Sequence, residues 1–415
     1  QPVLTIVQKN EAKKTAREIA AGLQSKTDIE NITVDGVWLG DLIYDTFLRN
    51  FNKPTIELSD PDFMPFLEDA MKAYVFWKNY FNHHDVRAVN TSHCVYLHAI
   101  PLRVALNRGI AAYQVNATHV YRINDEQLFA YTDSNDFHDN FIALPIETQT
   151  DGMAEAKQRV DLRFAGKIGV DMVYSKKSAF GDFIDKRLIV ESPKTKILIA
   201  PHCFFDSPHS FGKNLFPDFY EWFDFLGKIA EQTDYDWYIK THPDSKPGNK
   251  AIIEHFIAKY PKFSLLPAEA SHHQVIAEGI NFALTCYGTI GFEYAALGIP
   301  VINASVKNPH IAYKFNAHPK NIVEYEEVLK NLDTFKVDIN VEDVYEFYFM
   351  SRLYNTESWL IKDYAHFEND IGGSRYISDP IVYRFWLKEW DKEKHEVILN
   401  RLSRFIESDS FRLSK

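Results

Sequence analysis

The residues best placed to do chemistry lie between Asp236 and Ser305. Two short apolar runs, Trp237–Ile239 and Phe282–Leu284, are each followed at once by small or polar residues. Such runs suit strands buried on both faces of a parallel sheet. The first ends in Lys240-Thr241-His242-Pro243-Asp244. The second ends in Cys286-Tyr287-Gly288-Thr289-Ile290-Gly291 and enters a helix-forming segment, Phe292–Leu297, that carries Glu293. In an open α/β sheet, ligands sit beyond the carboxyl ends of the strands. A glycine-rich turn entering a helix offers backbone N–H groups and the positive end of the helix dipole, which suits a phosphate. His242 and Lys240, at a neighbouring strand end, are placed to meet that phosphate from the side. The plainer alternative is an ordinary strand–turn–helix in which Gly288 and Gly291 serve only the turn. The His-Pro strand end and Glu293 on the first helical turn favour the phosphate.

This constellation resembles the C-terminal half of GT-B glycosyltransferases. More narrowly, it is similar to those using CMP-linked donors: the Kdo transferases of capsule and lipopolysaccharide synthesis, and the bacterial GT-B sialyltransferases. The CDP-glycerol and CDP-ribitol phosphotransferases of teichoic acid synthesis share a similar His-Pro and Ser/Thr pair. The likeness covers Lys196–Ser305 and is looser elsewhere. It implies that His242, Pro243, Gly288 and Thr289 hold the donor phosphate. Lys240, Tyr287 and Glu293, beside them in sequence, complete the expected nucleotide site.

Transfer also needs a carboxylate or imidazole facing the donor. Asp206, in the loop Pro201-His202-Cys203-Phe204-Phe205-Asp206-Ser207-Pro208-His209, is the first candidate; a turn-forming Asp before Ser-Pro is the structural alternative. Asp45 is the second. It shares a helical face with Asp41 and sits among Leu42, Ile43, Phe47 and Leu48. Its structural alternative is a salt bridge to Arg49 or another base. His93 follows a buried-looking strand, and is read as an acceptor-side base or as a helix-capping residue.

The elements that position these groups can be read in order. Helices are expected over 11–24, from Leu39 to about Phe51, and over 61–81. Ile32–Trp38 alternates like one short strand. Val86–Val89, a helix to Arg108 and Ile110–Val115 make one Rossmann-like unit. Asn116–Phe141 reads as a hairpin or insertion, 152–166 as a helix, and Lys176-Lys177-Ser178 as a loop into a domain junction. Arg103 and Arg108 are solvated helix charges or contacts for an anionic substrate. Lys196–Ala200, Leu215–Glu231, 249–260, Phe263–Leu266 and the Ser271–Glu278 segment build the second domain, with His272 and His273 as weak candidates for the nucleotide base. The tail is helical and aromatic, broken at Gly372-Gly373, with a long final helix or pair over 379–407.

The expected fold is therefore α/β of GT-B type: an acceptor-side Rossmann-like domain over 1–190, a nucleotide-sugar domain over 191–335, and C-terminal helices over 336–415 crossing back. At 415 residues, 46% hydrophobic and 25% charged, the chain suits two globular domains. A net charge of −11 argues against a general nucleic-acid binder. Three single cysteines without metal spacing suit a reducing compartment. No stretch has the length of a membrane span and the first residues lack a signal-peptide core, so a cytoplasmic location, at most peripheral to the inner membrane, is expected. The missing initiator Met reads as a start inside a longer chain.

The resemblance implies a metal-independent transferase with no cofactor, moving Kdo from CMP-Kdo to a lipopolysaccharide or capsule acceptor. Its partners would be a nucleotide sugar, a glycan or glycolipid, and the inner membrane or another glycosyltransferase module. A CDP-polyol phosphotransferase, a sugar-nucleotide 2-epimerase and a non-catalytic saccharide-binding module are the alternatives. They separate by which nucleotide, if any, the chain binds.

Overall fold

A computed structural model describes residues 3–116, 119–171, 177–354, 380, 384 and 387–413. Lys176 and Gly372-Gly373 lie outside them. The first half is helix-rich. Helices α1 (Ile6–Gly22), α2 (Lys26–Glu30), α3 (Gly40–Phe51) and α4 (Phe63–His83) share one apolar core with Val34, Val37 and α5 (Ile100–Leu106). The expected single strand at Ile32–Trp38 is instead a hairpin, β1 (Thr33–Val34) and β2 (Val37–Trp38). Its turn is Asp35-Gly36, with φ +50° and +81°. An Asp-Gly pair is a tight-hairpin signal that the alternation concealed.

The Rossmann-like unit is present as β3 (Ala88–Thr91), α5 and β4 (Ala111–Val115), with the strands parallel. An antiparallel strand, β5 (Val120–Ile123), completes this three-stranded sheet. The end of the chain returns here: Leu413 N–H donates to Val120 O at 2.9 Å, and Arg412 pairs with Asp133 at 2.8 Å. Helices α6 (Phe137–Ile142) and α7 (Ile146–Phe164) follow.

The second half is built on a six-stranded, wholly parallel sheet of β6 (Lys196–Ile199), β7 (Asp236–Ile239), β8 (Phe263–Leu265), β9 (Phe282–Thr285), β10 (Val301–Asn303) and β11 (Asn316–Ala317). Spatially the order is β8-β7-β6-β9-β10-β11, and every pairing is parallel. β6 and β9 are buried at every residue, as strands covered by helices on both faces must be. The chain moves outward from β6 to β8, then returns to start again at β9. The loops leaving β6 and β9 therefore diverge and open a crevice at the switch point.

Helices α8 (Phe219–Gln232), α9 (Asn249–Lys259), α10 (His272–Ala277), α11 (Ile290–Ala296), α12 (Ile322–Lys330) and α13 (Val341–Tyr348) complete this half. α8 starts later than expected because Pro217 precedes Asp218, whose side chain caps it by accepting Glu221 N–H at 2.8 Å. α7 and α13 pack with α11 in one cluster around Val160, Phe292 and Phe347. A last helix, α14, spans Lys392–Glu407. No helix among the described residues is long and apolar enough to cross a membrane.

A buried ionic contact joins the halves. His209, fully buried, lies with Nδ1 2.6 Å from Asp45 Oδ1 on α3 and Nε2 3.1 Å from Glu30 Oε1 on α2. Burial works against its charge, but the two carboxylates outweigh this and raise the imidazole to about 10. Asp218 adds a second junction, accepting from Tyr44 Oη at 2.5 Å and Thr55 Oγ1 at 2.7 Å.

Because His209 binds its proton more tightly when folded, its contribution is complete below the ordinary value of 6.5 and is lost as pH rises through about 10. Asp45→Ala, which strips one partner from a buried pair, should lower unfolding free energy by roughly 3–5 kcal/mol. Urea titration of both proteins checks this. The alkaline loss of stability should be smaller in His209→Gln; equal losses would show that this imidazole does not carry it.

Candidate functional site at the sheet switch point

His202, in the loop after β6, occupies the crevice. Its Nε2 lies 3.1 Å from Thr285 Oγ1 and accepts the Tyr287 N–H at 3.3 Å. Its ring stacks on Phe219 at 4.7 Å. Burial lowers this imidazole to about 4, against the pull of Asp206. A neutral ring that accepts at Nε2 carries its proton on Nδ1, so His202 presents an N–H donor from its other edge.

His242, in the loop after β7, has complementary chemistry. The Asp244 N–H donates to its Nδ1 at 3.0 Å, which leaves Nε2 to carry the proton. Burial, the largest influence, lowers its pKa. The two imidazoles line one pocket of about 170 Å³ with Thr241, Ser245 and Lys246. This small concavity thus holds imidazole N–H donors and an ammonium, the groups that an anionic oxygen seeks, together with the Asp244 carboxylate.

The glycine turn stands on the other side of β6. Since β6 lies between β7 and β9, His242 and Gly288 come from strands that do not pair with each other. His202 is the link between them. Gly288 N–H is already taken by Thr285 Oγ1 at 3.1 Å. Among the described residues, the N–H groups of Thr289 and Ile290 are left without a protein partner at the start of α11. Gly288 and Gly291 are required by close packing: an added Cβ would lie 2.8 Å from Thr285 Oγ1 and 2.5 Å from the His310 ring, respectively.

The remaining expected nucleotide residues lie deeper. Lys240 is 2% exposed and donates to Ala268 O at 3.3 Å; burial lowers it to about 8 although Glu293 and Glu269 oppose this. Glu293 is buried and receives the Arg163 guanidinium, with Nε at 2.8 Å. Tyr287 donates to Ser207 O at 2.7 Å and ties the β6 loop to the β9 loop. Pro243 is half-buried beside His242.

Asp206 faces the first half of the chain across the crevice. It accepts from Tyr96 Oη at 2.6 Å and pairs with Arg49 at 3.1 Å. Burial pushes its carboxyl up, but Tyr96, Lys246, the Ser207 N–H and Arg49 together bring it below the ordinary value. The Arg49 guanidinium lies 4.9 Å over the Tyr96 ring. Tyr96 has φ +62° and ψ 171°, a region that side chains avoid. Such strain persists only where the surroundings enforce it, and it collects at functional sites. His93 is exposed nearby, with His98 at 5.9 Å between ring centroids; burial and Arg49 lower its pKa.

Asp45 does not face the crevice. It is 1% exposed, holds His209 and also accepts from Ser207 Oγ, so its geometry is that of an interdomain clamp. Burial raises its carboxyl despite His209. Arg103 is likewise enclosed, 2.7 Å from Asp41, and Arg108 donates to Lys78 O at 3.0 Å. His272 bonds Tyr294 Oη at 2.7 Å and His273 bonds Phe164 O at 2.9 Å, both as packing contacts. Lys177 N–H donates to Asp244 Oδ2 at 3.2 Å, so this loop does reach the β7 end.

The structure therefore gathers Asp206, His93 and His242 around the crevice with Lys246, Tyr96, Arg49 and His202. Sequence reasoning passed over the last four as site residues. His202 carried a usable signal, its place just beyond a buried strand. Tyr96 carried none, because its backbone angle and its partner 110 residues away are tertiary facts. Among the described residues no His, Cys, Asp and Glu cluster has a metal-holding arrangement.

No protein-family model and no curated protein matches the chain. Solved structures with partial likeness include the KpsC beta Kdo 2,4 transferase of Thermosulfurimonas dismutans, at TM-score 0.37 and 12% identity over 63% of this chain and 78% of that one. The Neisseria meningitidis UDP-GlcNAc 2-epimerase bound to UDP-GlcNAc follows at 0.30 and 13%, over 84% and 93%. The S. aureus MnaA–UDP structure stands at 0.28 and 14%, over 69% and 74%. Likenesses of this size carry no argument about this chain.

At pH 7 the His242 ring should be neutral and protonated on Nε2. ¹⁵N NMR of the imidazole nitrogens reads this directly; an Nδ1–H tautomer would contradict the bond from Asp244. Gly291→Ala should destabilise the chain by roughly 1–3 kcal/mol through overlap with His310, as overpacking does.

Proposed function

We propose that the chain transfers a glycosyl group from a nucleotide sugar, with its two halves in a GT-B arrangement. The observation that carries this reading is the switch-point crevice of a parallel sheet. Its nucleotide side offers His202, His242 and Lys246. Across it, Arg49 and Tyr96 grip an ionised Asp206. The donor reading, Kdo from CMP-Kdo onto a lipopolysaccharide or capsule glycan, rests on the His-Pro and Gly-Thr resemblance. In this reading protein donors meet the phosphate charge, with no metal and no cofactor.

The reaction breaks the bond between the anomeric carbon and the phosphate oxygen, whose electron pair leaves with CMP. The Nδ1–H of His202, the Nε2–H of His242 and the Lys246 ammonium are arranged to meet that charge as it grows. The Thr289 and Ile290 N–H groups lie on the far side of His202. An acceptor hydroxyl forms the new bond to the anomeric carbon, and its proton passes to Asp206. Tyr96 and Arg49 fix the direction of that carboxylate and keep it ionised. His93 and His98, on the same face, are placed for the acceptor. Glu293 and Lys240 support the phosphate loops from beneath.

CMP should raise the melting temperature more than CDP, UDP or GDP; a preference for UDP would replace the donor reading, and no response to any would remove the transferase reading. His242→Ala should weaken CMP binding without unfolding the chain. Asp206→Asn should abolish transfer while CMP still binds. In Tyr96→Phe the Asp206 carboxyl loses a hydrogen bond that lowers it, so the acid limb of the kcat/KM profile should move to higher pH. An unmoved limb would assign the proton acceptor elsewhere.

A further inference from the structure

A second, larger concavity of about 560 Å³ opens between the two halves beyond the carboxyl end of β10. This is within the roughly 300–1,000 Å³ typical of small-molecule sites. Trp38, from the β1–β2 hairpin, and Phe129 form one wall, edge to face at 6.1 Å. Beneath them the buried Arg103 guanidinium lies 5.0 Å from the Trp38 ring, which holds the indole in place from behind. Phe211 forms the opposite wall. The opening is thus lined by aromatic side chains from both halves of the chain.

Two backbone features keep it open. Gly212 has φ +108°, and a Cβ there would stand 3.2 Å from Lys307 Cδ and 3.5 Å from the Phe129 ring. Tyr131, also lining the space, has φ +63°. For Tyr131, which is not a glycine, this backbone is a cost of the kind that structures concentrate at functional sites.

The polar groups at the mouth define the ligand. Lys213 and Lys307 come from the second half, Asp125 and Glu126 from the first. Among the described residues none of the four is ion-paired, although the Lys213 ammonium already donates to Asn31 Oδ1 and lies 5.5 Å from the centre of the Trp38 ring. Their formal charges cancel, two positive and two negative, so the mouth selects for no net charge. It supplies both donors and acceptors around aromatic faces. That combination suits a pyranose ring, whose C–H face packs on an aromatic side chain while its hydroxyls hydrogen-bond at the edge.

The cavity lies beside the crevice. Phe211 meets Tyr287 at 5.2 Å between centroids, and Tyr287 meets His202 at 4.4 Å.

We infer that this cavity binds an uncharged saccharide unit, gripped between Trp38, Phe129 and Phe211 and oriented by Lys213, Lys307, Asp125 and Glu126. Its role as the acceptor end of a transfer reaction rests on the transferase reading; saccharide binding itself does not.

The test uses the full chain on an array of neutral and acidic oligosaccharides, followed by titration of the strongest neutral binder. Trp38→Ala should weaken binding about tenfold, near 1.4 kcal/mol. Should the loss of packing on Arg103 unfold that variant, Lys213→Ala and Lys307→Ala change exposed side chains and should each weaken binding several-fold. The CMP-induced thermal shift should persist in all three. No binding to any glycan, a preference for acidic glycans, or affinity untouched by all these substitutions would overturn the inference. A CMP shift without glycan binding removes this inference alone; glycan binding without a shift by CMP, CDP, UDP or GDP removes the transferase reading and leaves this one standing.

Discussion

His209 lies between two carboxylates with no access to solvent. Each of the three groups would be expensive to bury alone. Together they neutralise much of that cost, but only in one geometry, since a shift of either half strands a charge in low dielectric. Glu30 and Asp45 belong to the first half and His209 to the second. The contact therefore sets the register between the halves. The larger cavity, lined from both halves, inherits its shape from it, and so does the contact of Asp206 with Tyr96 and Arg49.

The loop that carries His209 also carries most of the crevice. His202 begins it, Asp206 projects across to Arg49 and Tyr96, and Ser207 receives the Tyr287 hydroxyl. The segment from Pro201 to Gly212 is thus anchored at its far end by the buried imidazole and at its near end by β6. Between these anchors it presents one neutral imidazole and one ionised carboxylate about a switch point. Tyr96, held in a left-handed backbone region, has its hydroxyl on that carboxylate. Rigid anchors on both sides are what allow a strained residue to remain strained.

Asp45 and Asp206 show how burial sorts carboxylates of similar sequence promise. Asp45 is enclosed and its pKa raised, and its oxygens are spent on His209 and Ser207. Asp206 is partly open, lowered by a hydroxyl and cations, and aimed into the crevice. The first acts as cement and the second is available for chemistry. Lys240 and His242 divide the same way at the end of β7: the lysine folds under the loop, while the imidazole stays in the pocket wall.

The sequence by itself determined the strands of the second half. Unbroken apolar runs such as Ile197–Ile199 and Phe282–Leu284 have no stable place except a sheet covered on both faces. It also marked the loops after them as the place for a ligand, because strand polarity is written into chain order. It placed His242, Gly288 and Asp206 in loops just beyond strands, since residue type and position beyond a strand are local facts. Tertiary structure alone decided that β6 stands between β7 and β9, and so made His202 the centre. It also joined Asp45 to His209 across 164 residues and bent Tyr96 toward Asp206 across 110. Periodicity reports which face a residue shows; it does not report what another segment brings to that face. Partners, register and the resulting pKa values arise only when the two halves of the chain meet.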